Sequence, residues 1–164
     1  MNELELALVG DSYAAAPAHI IEGLGSDLVH RVVAGIPHTI YQELWHIAFW
    51  QQLSLDWIAG VKTPFPAQPA FGFPTELQIE EESWDQLCLR FVQGSQTAAA
   101  ITRDGTQLEA IIRCPSRPGL AVRTMSVREQ LESLAAHNAY HLGRIVMLRQ
   151  LGQAWPPQSG GYSW

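Results

Sequence analysis

Positive charge is scarce in this chain. Ten Lys and Arg stand against 16 Asp and Glu, for a formal net charge of −6 and a pI near 5.4. A nucleic-acid surface draws its affinity mainly from Lys and Arg, so this balance argues against a phosphate-binding role. Cysteine is scarcer still. Cys88 and Cys114 are too few for a disulfide framework and lack the paired spacing of a zinc–thiolate site. No apolar run approaches the roughly 20 residues that a membrane-spanning helix needs. The opening Met1-Asn-Glu-Leu-Glu-Leu is acidic, without the basic start of a secretion signal. These absences give the expectation of a cytoplasmic protein with reduced thiols and neither nucleic acid nor membrane as partner. Internal repeats and low-complexity tracts are missing too.

What is present is apolar. Hydrophobic residues make up 47% of the 164 and charged residues 16%, which predicts one domain over residues 1–164 with a real core. Three helix starts carry capping boxes, in which a hydroxyl accepts from a backbone N–H and a Gln or Glu reaches back. Thr39 with Gln42 opens a helix to about Ala59, stopped by Gly60. Ser83 with Gln86 opens one to about Arg103, near Gly105. Ser126 with Glu129 opens the longest, to about Leu151, where Gly152, Pro156 and Pro157 end it. The N-terminal part predicts a short helix over 2–9 and another from Pro17 to about Leu24, then loop from Gly25 to His38. Val61 to Glu82, with four prolines and three phenylalanines, reads as irregular. Gly105 to Met125 has room for a small hairpin around Cys114-Pro-Ser-Arg-Pro-Gly. Connections of this length are often functional.

The last helix carries the chemistry. Val127, Leu131, Leu134, Asn138, His141, Ile145 and Leu148 fall on alternating steps of four and three, the seam of a helix bundle. Asn138 and His141 interrupt it, and burying them unpaired costs on the order of 1–3 kcal/mol each. His137 flanks the same stripe, one helical turn from His141. In the Thr39 helix, His46 is the polar exception on a face shared with Phe49 or Trp50, Leu53 and Trp57. Two seams broken by histidine are what an internal metal site in a bundle looks like. A His-x-x-x-His pair alone is a weak signal, because core or solvated histidines also satisfy it. No Glu follows His137, so the zinc-protease pattern His-Glu-x-x-His is absent.

The other candidates rank lower. His38 reads as a helix-boundary residue, His19 as a packing or solvent residue in the Pro17 helix, and His30 as loop. Glu43 sits one turn before His46 and is placed either to orient that ring or as a surface charge. Asn138 and Tyr140 are placed similarly. Cys88 reads as a small core residue, and Cys114 as a loop residue with no base beside it. An aromatic-rich outer face favours a homodimer.

The runs Pro37-His-Thr-Ile-Tyr-Gln-Glu-Leu-Trp-His-Ile-Ala-Phe-Trp-Gln and Ala136-His-Asn-Ala-Tyr-His-Leu-Gly-Arg-Ile-Val-Met-Leu-Arg, with the ending Trp155-Pro-Pro-Gln-Ser-Gly-Gly-Tyr-Ser-Trp, resemble the DinB/YfiT-like family of metal-binding four-helix bundle proteins. The resemblance covers about a third of the chain directly. It implies an all-α, up-down-down-up four-helix bundle with a long crossover connection. It also implies a divalent metal ion, zinc or nickel or one like them, held by His46, His137 and His141, and a homodimer. Characterised relatives include S-transferases that use bacillithiol or mycothiol, and a mycothiol-dependent maleylpyruvate isomerase. The chain departs from the pattern at Gly10 and Ala14-Ala-Ala-Pro, which break the first helix and bear on the shape of the pocket mouth.

The expectation is therefore a divalent-metal-dependent enzyme, with a thiol-dependent S-transferase as the reaction type and a low-molecular-weight thiol among its small-molecule substrates. Three neutral imidazoles leave an ion its full charge and an open position. No general base or other catalytic residue can be named. The alternative is a non-catalytic, stress-related protein that binds metal or a small ligand around a structural ion. An open coordination position separates the first reading from the second.

Overall fold

The computed structural model describes residues 1–10 and 14–160. All three capping boxes form. In α4 (Ile40–Ile58) the Thr39 hydroxyl accepts from the Gln42 amide, and the Gln42 side chain accepts from the Thr39 N–H. Ser83 does the same for α6 (Trp84–Ile101) and Ser126 for α8 (Val127–Leu151). Gly60 follows α4 with φ +80°, a left-handed conformation that suits glycine and ends the helix.

These helices, with α1 (Glu3–Val9), pack as a ring. α1 touches α6 and α8, and α4 touches the same two. Asn2 caps α1 and donates to the Thr102 carbonyl, while Arg103 binds the buried Glu5 carboxylate at 2.6 Å, so α1 is fastened to the far end of α6. α4 is buried on several sides, since α6 and α8 both cover it. Its approach to α6 is close. Gln51 is 1% exposed; its amide donates to the Phe91 carbonyl and accepts from the Ser95 hydroxyl. A Cβ on Gly94 would overlap that amide, so this crossing requires glycine. Leu44, Ile47, Leu87, Leu131 and Ile145 are all fully buried. Each such side chain contributes about 1.5–3 kcal/mol relative to leaving it in water.

The seam predicted along α8 is the buried one: Val127, Leu131, Leu134, Asn138, Ile145 and Leu148 are buried, and His141 is largely so. The connections hold more structure than their composition predicts. The Pro17 helix, α2, stops at Ile20 rather than Leu24, and a four-residue helix, α3 (Ser26–Val29), lies in the segment expected to be loop. Within 61–82 there is a 3-10 turn, Pro69–Gly72, and a further helix, α5 (Glu76–Glu81), with its own capping box from Thr75 and Gln78. None of the α5 residues is buried, so it carries no apolar stripe to read. The hairpin forms as expected. After α7 (Gly105–Leu108), β1 (Ile111–Cys114) pairs antiparallel with β2 (Arg123–Ser126), Cys114 opposite Arg123 and Ile112 opposite Met125. The described residues are thus mostly helical, consistent with the all-α expectation, with one small two-stranded sheet added. Of the break predicted around Gly10, residues 11–13 lie outside the described residues. No helix among the described residues is long and apolar enough to cross a membrane.

Candidate metal centre

His46 projects from α4, and His137 and His141 project from consecutive turns of α8. The packing of these two helices brings the three rings together. One ligand atom from each lies within 4.8 Å of the others, and ring centroids are 4.4–5.0 Å apart. The Nε2 atoms of His46 and His137 are 3.1 Å apart. Two imidazoles bound tetrahedrally to one ion at 2.0–2.1 Å would stand about 3.3 Å apart, so this pair is already near a shared position.

What lies behind two of the rings orients them. His46 Nδ1 is 2.7 Å from the Gly72 carbonyl, which only accepts, so Nδ1 carries the hydrogen and Nε2 a lone pair. His141 Nδ1 donates to the Glu43 carboxylate at 2.6 Å, and its Nε2 is likewise freed. Glu43 is fully buried and also accepts from Arg144 Nε at 2.7 Å. Burial alone would oppose its ionisation, but the hydrogen bonds from His141 and Arg144 outweigh that and hold its carboxyl below the usual range. A carboxylate behind a ligating histidine fixes the ring and raises its basicity toward the ion. His137 Nδ1 and Asn138 Oδ1 are buried without a hydrogen-bond partner among the described residues.

His46 and His137 are neutral at physiological pH. Burial pushes His46 down to about 4 against the partial opposition of the Gly72 carbonyl, and charge on its two neighbours would add to the effect. Burial pushes His137 down to about 4, and any charge on His141 would add to the effect. Neutral imidazole is the form that binds metal. Two rings oriented from behind and three convergent nitrogens fit a divalent cation. Among the described residues no fourth His, Cys, Asp or Glu joins the group, so no side chain of those types closes the site.

Aromatic rings wall the centre. Phe73 stacks on His46 at 4.2 Å and on His38 at 3.8 Å; Trp50 meets His46 edge-on at 6.2 Å, and Tyr140 meets His141 edge-on at 4.9 Å. A cleft of about 330 Å³ opens beside His46 and His137 between Trp50, Trp57 and Phe65, with Arg123 on its rim. The Trp57 N–H is tied to the Thr63 carbonyl at 2.7 Å, which braces that wall.

Several placements depart from expectation. Glu43 does not orient His46, its neighbour one turn along α4, but reaches across to His141 on α8. Its carboxylate lies between the two helices, where Arg144 also arrives. The group that orients His46 is the Gly72 carbonyl, which no side chain in the sequence announces. His38 lies outside the cluster, His30 stacks on Tyr41, and His19 sits beside Glu22 and Trp155. Cys114 is a buried strand residue rather than a loop residue, and its thiol donates to Gln130. Arg144 and Arg123 carried no legible signal, since a lone arginine on a helix or hairpin reads as surface charge.

No curated protein and no solved structure matches the chain. A family model does: that of the DinB superfamily, over residues 14–145, a span that holds all three histidines, Glu43, Gly72 and Arg144. With most of its length and the whole of this centre inside that match, the chain belongs to the DinB superfamily.

Proposed function

We propose that this chain is a divalent-metal-dependent enzyme whose ion is held by His46, His137 and His141, and that its reaction is the transfer of a low-molecular-weight thiol to a small electrophile. One observation carries the reading: three imidazole nitrogens converge beside a cleft, and no further side-chain ligand of the usual types faces them among the described residues. A structural ion is ordinarily closed by four protein ligands, whereas a catalytic one keeps a position free. The ring of helical contacts supports the up-down-down-up bundle. Zinc and nickel both suit an all-imidazole donor set.

A bound divalent ion supplies Lewis acidity that lowers the pKa of a thiol at the open position. The protein does the rest. Glu43 and the Gly72 carbonyl hold two rings in the lone-pair tautomer. Phe73 covers the outer face of His46 and keeps water from it. Trp50, Trp57 and Phe65 give the electrophile an apolar surface on which to lie.

The test is elemental analysis of protein purified without a histidine tag, then conjugation of low-molecular-weight thiols to a chromogenic aryl halide with the identified ion restored. One equivalent of zinc or nickel and metal-dependent acceleration are expected. Bound metal without acceleration would leave only a structural ion; no bound metal would remove the reading altogether.

A further inference from the structure

Beside its two histidines the cleft has one charged group among the described residues, Arg123, and its charge is opposite in sign to the molecule's net charge. Arg123 stands in β2 opposite Cys114, and directly opposed residues in an antiparallel pair point to the same face of the sheet. Cys114 is fully buried against Leu53 and Trp57, with Ile112 and Met125 packed on the same cluster. That face of the hairpin therefore looks onto α4, and Arg123 lies on it, at the solvent end. Arg113, on β1, belongs to the opposite face.

The remaining polar groups of the cleft are mostly committed. The Gln130 amide donates to the Ser54 hydroxyl at 2.8 Å and accepts from the Cys114 thiol, while Ser54 donates to the Trp50 carbonyl. The Arg123 side chain has no hydrogen bond or ion pair with any described residue. By contrast Arg90, Arg103, Arg128 and Arg144 each hold a carboxylate. An arginine on an aromatic cleft without an acid of its own is placed to take one from a ligand.

We infer that Arg123 selects substrates carrying a carboxylate, binding that group at the cleft rim while the apolar body lies against Trp50, Trp57 and Phe65 and the reacting end reaches the histidines. This rests on the reading of the cleft as the substrate site. A single planar guanidinium offers two parallel N–H donors, the geometry a carboxylate accepts. A phosphate, with more charge and more acceptors, calls for further cations that this rim lacks. At about 330 Å³ the cleft suits a small acid, near the lower end of the range for ligand sites.

The experiment titrates the full-length protein, metal-loaded and metal-stripped, with 4-phenylbutyrate and with the isosteric 4-phenylbutanamide, reading tryptophan fluorescence. The wild type is expected to prefer the acid by about five- to tenfold, the size of one partly exposed charge-assisted contact. Arg123→Gln should abolish the preference, Arg123→Lys should keep part of it, and Arg113→Gln should leave it intact. Metal content, measured alongside, should be equal in all four proteins. An acid preference that survives in Arg123→Gln, or its absence from the wild type, overturns the inference. Failure of metal to bind would instead strike the enzymatic reading, because the ratio measured in stripped protein does not depend on the ion.

Discussion

Two hollows border α8, and they differ in kind. On one side His137 shares a cleft of about 330 Å³ with His46, three aromatic rings and Arg123. On the other, Ala135, Ala139, Gly143 and Val146 form one wall of a larger hollow of about 510 Å³, completed by residues of α1, α2 and the chain beside them and by Trp155, and every described residue lining it is apolar. Among the described residues the larger volume offers no acid, base or metal ligand. The smaller has two neutral imidazoles, His46 buried and fixed from behind by the Gly72 carbonyl, His137 half-buried and pressed against it. Volume marks loose packing in this molecule; convergence of polar groups on lone pairs marks chemistry.

The sharpest way to break this contrast is to remove a ligand. His141→Ala should lose nearly all bound metal while helix content by circular dichroism stays close to wild type, since His141 is one residue of a 25-residue helix. Full metal content in that variant would mean that the histidine side of α8 is no more special than the alanine side.

Smaller effects should come from the groups behind the rings. Glu43→Gln keeps an acceptor for His141 but loses the charge, and should weaken metal binding about 10–100-fold in chelator competition. Gly72→Ala should fall at the lower end of that range or below it. Its Cβ would come 3.4 Å from His46 Nδ1 and 3.2 Å from Trp50 Nε1, tight enough to shift the ring but not to displace it. If both variants bind metal as tightly as wild type, the outer contacts are packing and nothing more.

The pH response separates the two sides without mutation. In the folded, metal-stripped chain His46 and His137 take up protons only near pH 4, against an ordinary value of 6.5 once unfolded. Between those limits the unfolded state binds more protons, so stability is fully present above about pH 6.5 and falls as pH drops toward 4. Glu43, held below its ordinary 4.5, keeps its contribution through most of this interval. The melting temperature should fall by about 5 °C between pH 7 and 4.5. A flat profile would show that these rings are not buried as described. In the loaded protein the ion should leave over the acid range, as protons compete for the imidazoles.

The mildest test lies on the apolar side. A Cβ on Gly143 would meet nothing within 4 Å, and the residue sits inside α8. Gly143→Ala should therefore stabilise the helix by about 0.5–1 kcal/mol, visible as a melting temperature about 1–4 °C higher, with metal content unchanged. A loss of metal in this variant would tie the two hollows together and undo the comparison.

The legible parts of the molecule were those with local, repeated signals. Thr39, Ser83 and Ser126 announced their helices because a capping box is a contact between residues three apart. The α8 seam announced itself because burial recurs at helical spacing, and its polar interruptions pointed to the site. Thr75 and Gln78 carried the same local signal, yet α5 has no buried face to reinforce it, and prolines and phenylalanines around it read as irregular. Glu43 was placed by sequence distance beside His46, whereas the α4–α8 packing gave it to His141, 98 residues away.

The sequence by itself determined the main helices, the buried seams and the three histidines, because backbone capping and hydrophobic periodicity act between residues a turn or two apart. Only the tertiary structure decided which nitrogen of His46 and of His141 faces the centre, since that depends on acceptors brought from elsewhere in the chain: a backbone carbonyl at Gly72, with no side chain to betray it, and a carboxylate on the facing helix. It decided as well that Arg123, one arginine among several in the sequence, stands at the mouth of the cleft, because strand register places it on the face that looks inward.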